Sequence, residues 1–238
     1  LLDTGASNLF ADNAEKLNID LKDIDFAVLS HAHYDHANGM EKFFEINEKA
    51  TFYLQEGCGE NCYFKKGFVR KYIGIPKGIT KRYQDRIKYV SGICPIAEGI
   101  HLVSHSTPHL EQIGKKEMMY QKTKLGWKPD NFCHEQSLVL DTDSGLVIFN
   151  SCSHGGVVNI INEVKAAFPE QKITALIGGF HIFRHPEAAI RELAKLIKET
   201  GIQRIYTGHC SKERGYRILR EELGDMAGQF YVGMELEF

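Results

Sequence analysis

The stretch Ser30-His31-Ala32-His33-Tyr34-Asp35-His36 constrains this chain more than any other. Three imidazoles and a carboxylate follow directly on Phe26-Ala27-Val28-Leu29, an apolar run that reads as a buried strand. Polar groups gathered at the end of such a strand are costly to desolvate unless a partner compensates them. A divalent metal is the usual partner, because neutral imidazole suits zinc, iron, copper and nickel, and carboxylate suits harder ions. A solvated loop explains a single histidine well and this cluster badly. His31 and His33 can turn to one ion, and Asp35 and His36 to a second. Two ions ~3.5–4 Å apart can hold a bridging hydroxide and polarise the group it attacks.

Bulk composition narrows the class. The 238 residues are 43% hydrophobic and 25% charged, which excludes a disordered chain and fits one large domain over 1–238. A formal net charge of -2 gives a nucleic-acid partner no general electrostatic support. No apolar run approaches the ~20 residues of a membrane span. Neither a nucleic-acid nor a membrane partner is indicated. The six cysteines (58, 62, 94, 133, 152 and 210) contain no CxxC pair. Free thiols and a cytoplasmic location are the expectation. Leu1-Leu2 reads as a strand already under way, so N-terminal strands are expected to precede it.

The chain then alternates strands and helices. Ser7 is read as the cap of a helix to about Leu17, with Leu9, Phe10, Ala14 and Leu17 inward. A helix from Gly39, with Met40, Phe43 and Phe44 inward, leads to a strand at 51–54. Helices are expected near 60–72 and 77–84, and strands near 87–91 and 100–104. Residues 56–135 are read as an insertion or lid, and the basic residues of 65–88 as a solvated helix face. Clear rhythm returns with a hairpin of 137–140 and 146–149. Helices after Gly156 and Pro186 and strands at 173–177, 203–206 and 230–232 follow, with Ser211 capping the final helix. Four strands run out into loops bearing His31/His33/Asp35/His36, His154, His181 and His209, and ligands gather at strand ends in open α/β folds.

His31-x-His33-x-Asp35-His36 after a hydrophobic strand, with Asp3-Thr4-Gly5 upstream, resembles the metallo-β-lactamase superfamily. Ser151-Cys152-Ser153-His154, Gly178-Gly179-Phe180-His181 and Gly208-His209-Cys210 resemble one branch of it, the 7,8-dihydropterin-6-methyl-4-(β-D-ribofuranosyl)aminobenzene 5'-phosphate synthase-like metal-dependent hydrolases. The resemblance implies an α/β, four-layer αββα sandwich of two mixed sheets with helices outside. It assigns His31 and His33 to a first metal, and Asp35, His36 and His209 to a second. His154 is the preferred further ligand of the first site, with His134 its competitor. Cys152 stands where most members carry a bridging Asp, either as a thiolate ligand or as a small buried hydrophobe. Asp35 and His181 are the catalytic candidates, His181 as a proton donor or substrate contact. The implied cofactor is one or two divalent ions, zinc first, iron or manganese next. The implied activity is hydrolysis of a small phosphorylated substrate by a metal-bound hydroxide. A synthase that displaces pyrophosphate and a non-catalytic metal-binding module are the alternatives.

Overall fold

The computed structural model describes residues 1–238, which divide into two compact units. Unit 1 comprises residues 1–91 and 108–136, and unit 2 comprises residues 92–107 and 137–238. The stretch 56–135, expected as one insertion, contributes to both.

Unit 1 begins with α1 (Leu9–Lys16), β1 (Phe26–Val28), α2 (Tyr34–Ala37), α3 (Met40–Ile46) and β2 (Thr51–Gln55). It continues with β3 (Cys62–Lys66), β4 (Val69–Tyr72), α4 (Ile79–Arg82) and β5 (Ile87–Val90). After unit 2 contributes β6 (Ile93–Ala97) and β7 (Ile100–Ser104), unit 1 resumes with α5 (Glu111–Lys116), β8 (Met119–Thr123) and β9 (Gly126–Pro129). β1, β2 and β5 form a parallel sheet. Its apolar face packs on Met40, Phe43 and Phe44 of α3, the face expected from sequence. Leu2 bridges to Val28 in parallel, and the Asp3 amide donates to the Val28 carbonyl at 2.8 Å. That register sets the Asp3 side chain at the end of β1, where the histidine loop begins.

Two expectations in unit 1 fail. Residues 60–72 form the hairpin of β3 and β4, not a helix. Tyr63, Phe64, Val69 and Tyr72 favour a pleated surface, and Gly67 at φ 56° supplies the turn. With β8 and β9 this hairpin makes a four-stranded antiparallel sheet, in the order β4-β3-β8-β9. Helix α1 follows Asn8 rather than Ser7, although the Ser7 hydroxyl accepts the Leu9 amide at 3.3 Å. Only Ala14 of its expected inner face is buried, and Leu9 and Leu17 are exposed.

Unit 2 adds β10 (Gln136–Thr142), β11 (Gly145–Phe149), α6 (Val157–Ala167), β12 (Ile173–Gly178) and α7 (Glu187–Glu199). It ends with β13 (Arg204–Thr207), α8 (Lys212–Leu223) and β14 (Ala227–Gln229). Its seven-stranded sheet runs β14-β13-β12-β11-β10-β7-β6. The β10–β11 and β6–β7 pairs are antiparallel, and β11 to β14 pair in parallel. Ile160, Ile161 and Val164 of α6 and Ile190, Ala194 and Ile197 of α7 bury one face against this sheet. Burying a side chain of this size is worth about 1.5–3 kcal/mol. The last strand falls at 227–229, three residues before the expected position. Ser211 precedes α8 without capping it; its hydroxyl instead binds the Phe180 amide and the Thr207 hydroxyl.

Candidate metal centre

The histidine loop leaves β1 and turns at once into α2. His33 is the extended residue before the helix, and Asp35 and His36 lie within it. His31, His33 and His36 are all buried, while Asp35 is half-buried. Their rings converge: His31 lies 4.6 Å from His33 and 4.2 Å from His36 between centroids.

Hydrogen bonds behind the rings decide which nitrogen faces forward. Asp3 accepts the Ser30 amide at 2.7 Å and the Ser30 hydroxyl at 2.8 Å, and lies 2.8 Å from His36 Nδ1. The Ser30 oxygen, its hydroxyl hydrogen bonded to Asp3, accepts from His31 Nδ1 at 2.9 Å. An ionised carboxylate can only accept, so both histidines carry the proton on Nδ1 and keep the lone pair on Nε2. Metal-ligating histidines are usually oriented by a carboxylate in this way. The sequence presents Asp3 only within the upstream Asp3-Thr4-Gly5 motif; the parallel pairing of Leu2 with Val28 brings it here.

A second carboxylate supports the loop from the opposite side. The Ala32 amide donates to His134 Nδ1 at 3.1 Å, and His134 Nε2 faces Asp130 at 3.2 Å. Asp130 also accepts the Phe132 amide and the Gln121 side chain, each at 2.9 Å. Burial alone would raise the Asp130 carboxyl, but His134 overrides it and holds Asp130 well below the usual range. Burial disfavours charge on His134 and Asp130 favours it. Asp130 outweighs burial and holds the His134 imidazole above its ordinary range. Both His134 nitrogens are then committed. His33, Cys62, Asp130 and His134 bring ligand-type atoms within 4.8 Å of one another, yet the set is a hydrogen-bonded support behind the loop. Burial keeps the Cys62 thiol protonated by raising its pKa. Burial, then the neighbouring His134, push His33 down to about 3, so it is a neutral imidazole throughout the physiological range.

In unit 2 the candidates sit on three loops after β11, β12 and β13. Cys152 and His154 are buried, and the rings of His154 and His181 lie 4.4 Å apart. Cys152, His181 and Cys210 place their ligand atoms within 4.8 Å of one another. Both ring nitrogens of His181 are buried without a hydrogen-bond partner, as an awaiting ligand would leave them. His209 is exposed at the start of the turn into α8. The Cys152 thiol holds Cys210 well below its ordinary value; burial opposes this and His181 assists it. In the sequence Cys210 stands only as the last residue of the Gly208-His209-Cys210 motif, beside the more conspicuous His209.

Gly178-Gly179 does not cradle a phosphate. A Cβ on Gly178 would lie 1.6 Å from the Asn150 carbonyl oxygen, and one on Gly179 2.5 Å from Cys210 Sγ. The amides of Gly179, Phe180 and His181 are spent on the Ser151 carbonyl, the Ser211 hydroxyl and Cys210 Sγ. The two glycines serve close packing of the loops that bear Cys152 and His181.

The family described as the Metallo-beta-lactamase superfamily matches residues 1–116. A solved structure described as a metal-dependent hydrolase of the beta-lactamase superfamily superposes with a TM-score of 0.83 at 27% identity, covering 100% of this chain and 88% of the other. The chain has the metallo-β-lactamase fold, α/β sheets with helices packed on them. It is also 27% identical to the 7,8-dihydropterin-6-methyl-4-(beta-D-ribofuranosyl)-aminobenzene-5'-phosphate synthase of Methanocaldococcus jannaschii, over 95% of this chain and 79% of that protein. An uncharacterized protein of the same organism is 24% identical over 92% of this chain and 80% of its own length.

Proposed function

We propose that the chain is a metal-dependent enzyme that hydrolyses a small anionic, phosphorylated substrate. One observation carries this reading: Asp3 fixes the protons of His31 and His36 on Nδ1, which turns two Nε2 lone pairs to the same cluster. His31, His33, Asp35 and His36 in unit 1 would hold metal, as would His154, His209 and Cys152 in unit 2. A donor set of imidazole, carboxylate and thiolate suits zinc best, ahead of iron or manganese. The bound ion would supply Lewis acidity and a water acidic enough to act near neutral pH. Lys71, whose Nζ lies 5.7 Å from the ring of Tyr34 beside Asp35, would hold a substrate phosphate. His181 would hand a proton to the leaving group.

A second reading is favoured by the match to the synthase across 95% of this chain. In it the same residues assist displacement of pyrophosphate by a second organic substrate. Elemental analysis, together with assays on phosphate esters and on a pterin pyrophosphate, separates the readings. Hydrolysis gives product in water alone, whereas the synthase releases pyrophosphate only when the second substrate is present. Asp35→Ala should abolish either turnover and lower the bound metal while leaving the circular dichroism spectrum intact. Full activity in that variant would sink both readings, and wild-type protein that takes up no metal would favour a non-enzymatic role.

A further inference from the structure

The outward face of the β4-β3-β8-β9 sheet takes no part in the chemistry above. Strand alternation sets Tyr63, Lys65, Arg70, Tyr120, Lys122 and Trp127 on this face. The opposite face carries the buried Cys62 and Gln121. Solvated faces of antiparallel sheets are ordinarily lined with small polar and mixed charged residues. Here rings and cations are layered instead. Trp127 stands edge-on to Tyr63 at 5.0 Å, the Lys65 Nζ lies 5.2 Å from the Tyr120 ring, and the Arg70 guanidinium lies 5.3 Å from Trp127. The ring faces are thus covered by side-chain cations rather than by backbone, and a planar group of a ligand can replace them.

Charge is segregated onto this sheet. Residues 62–72 and 119–129 hold seven of the 29 basic residues, of which Lys65, Arg70 and Lys122 stand on this face, and none of the 31 acidic ones. The near-neutral total of the chain conceals this. Lysines on edge strands also guard against unwanted strand pairing. That accounts for residues on β4 and β9, but Lys65 and Lys122 stand on the interior strands β3 and β8. Guarding the edges also does not call for Phe68 or Leu125, which occupy the two hairpin tips and are fully exposed, at 104% and 102%. The antiparallel register of β3 and β8 puts those tips at opposite ends of the sheet.

We propose that this face binds single-stranded nucleic acid, its cations against the phosphates and its aromatic rings against the bases. Positive groups interleaved with rings are what a strand of unpaired nucleotides offers complements to. Strands of this length span roughly 17 Å at 3.3 Å per residue, room for on the order of four nucleotides. A bilayer presents one plane and would favour apolar tips at one end of the sheet, not at both. The site is separate from the metal-binding residues and stands whether or not the proposed hydrolysis is correct.

Trp127 is the only tryptophan, so its fluorescence reports on this face alone. Titration of the full chain with a twelve-nucleotide oligo(dT) or oligo(U) should quench it saturably. The logarithm of the binding constant should fall linearly with that of salt, by about 0.7 for each phosphate contacted. Arg70→Glu combined with Lys122→Glu, both on exposed side chains, should weaken binding at least roughly tenfold with an unchanged melting temperature. No quenching by either oligonucleotide overturns the proposal. So does binding that ignores the two charge reversals, or equal affinity for a duplex of the same length. Binding to phosphatidylserine vesicles without binding to oligonucleotides would reassign the face to lipid and overturn it too.

Discussion

The His31 loop in unit 1 and the Cys152, His181 and His209 loops in unit 2 are stiffened by different means. In unit 1 side chains do it. Asp3 and Asp130 supply carboxylates, Ser30 and His134 relay them, and no residue from 30 to 36 has a positive φ. In unit 2 the backbone does it. Ser153, His181 and His209 adopt φ of 55°, 50° and 48°, a region that non-glycine residues seldom occupy, and Gly178 and Gly179 pack without clearance against neighbouring loops. Side-chain support can be removed while the fold stays, at the expense of ligand orientation. Backbone support cannot be removed so cleanly, because the same contacts hold the sheet together.

The sharpest test of that contrast is Gly178→Ala. Its new methyl would sit 1.6 Å from the Asn150 carbonyl oxygen, so a loss of at least about 3 kcal/mol is expected. A denaturant melt with less than about 1 kcal/mol lost would show that the backbone of unit 2 yields easily. Next in size, Asp3→Asn removes the charge behind His31 and His36 but tolerates the φ of 58° at this position. Metal affinity, measured by competition with a chelator, should fall ~10–100-fold. Unchanged affinity would mean that side-chain orientation matters little in unit 1.

An acid titration of the metal-free protein probes unit 1 more gently. The folded pKa of His33 is about 3 against an ordinary 6.5. Below 6.5 the unfolded chain takes up a proton that the fold refuses, so stability should fall as pH drops toward 3. The slope should reach up to ~1.4 kcal/mol per unit. Asp130, depressed below its usual value, adds a loss of the same sign only under about pH 4. His33→Gln should flatten the slope between pH 6.5 and 4; an unaltered slope would locate the titration elsewhere. The smallest effect is expected for His181→Asn. Asn accepts a left-handed backbone better than His, so stability should hold or rise by up to about 1 kcal/mol. Metal content or turnover should drop at the same time. A fall in stability without loss of either would make His181 a purely structural residue.

The sequence announced the His31 cluster because its ligands are contiguous and follow an apolar strand. It announced the carriers of His154, His181 and His209 because each follows a short β-branched run. What it hid depends on pairing between distant residues. Asp3 reaches His36 only through the Leu2–Val28 bridge, and Ala32 meets His134 across 102 positions. Residues 60–72 misled for a local reason: the basic run 65–71 has no clear period of its own, and only pairing with β8 selects the pleat.

The interleaving of the two units has a consequence for how the chain is made. Unit 1 is split by residues 92–107, so it lacks β8, β9 and the Asp130–His134 support until residue 136 has emerged from the ribosome. By then β6 and β7 already await β10, their neighbour in the seven-stranded sheet. Non-local pairing of this kind slows folding and leaves strand edges open while synthesis continues. The order of synthesis therefore makes β10 the joint at which the first half of the protein closes and the second begins. A chain halted at residue 91 or 107 would be a nascent fragment in need of a chaperone.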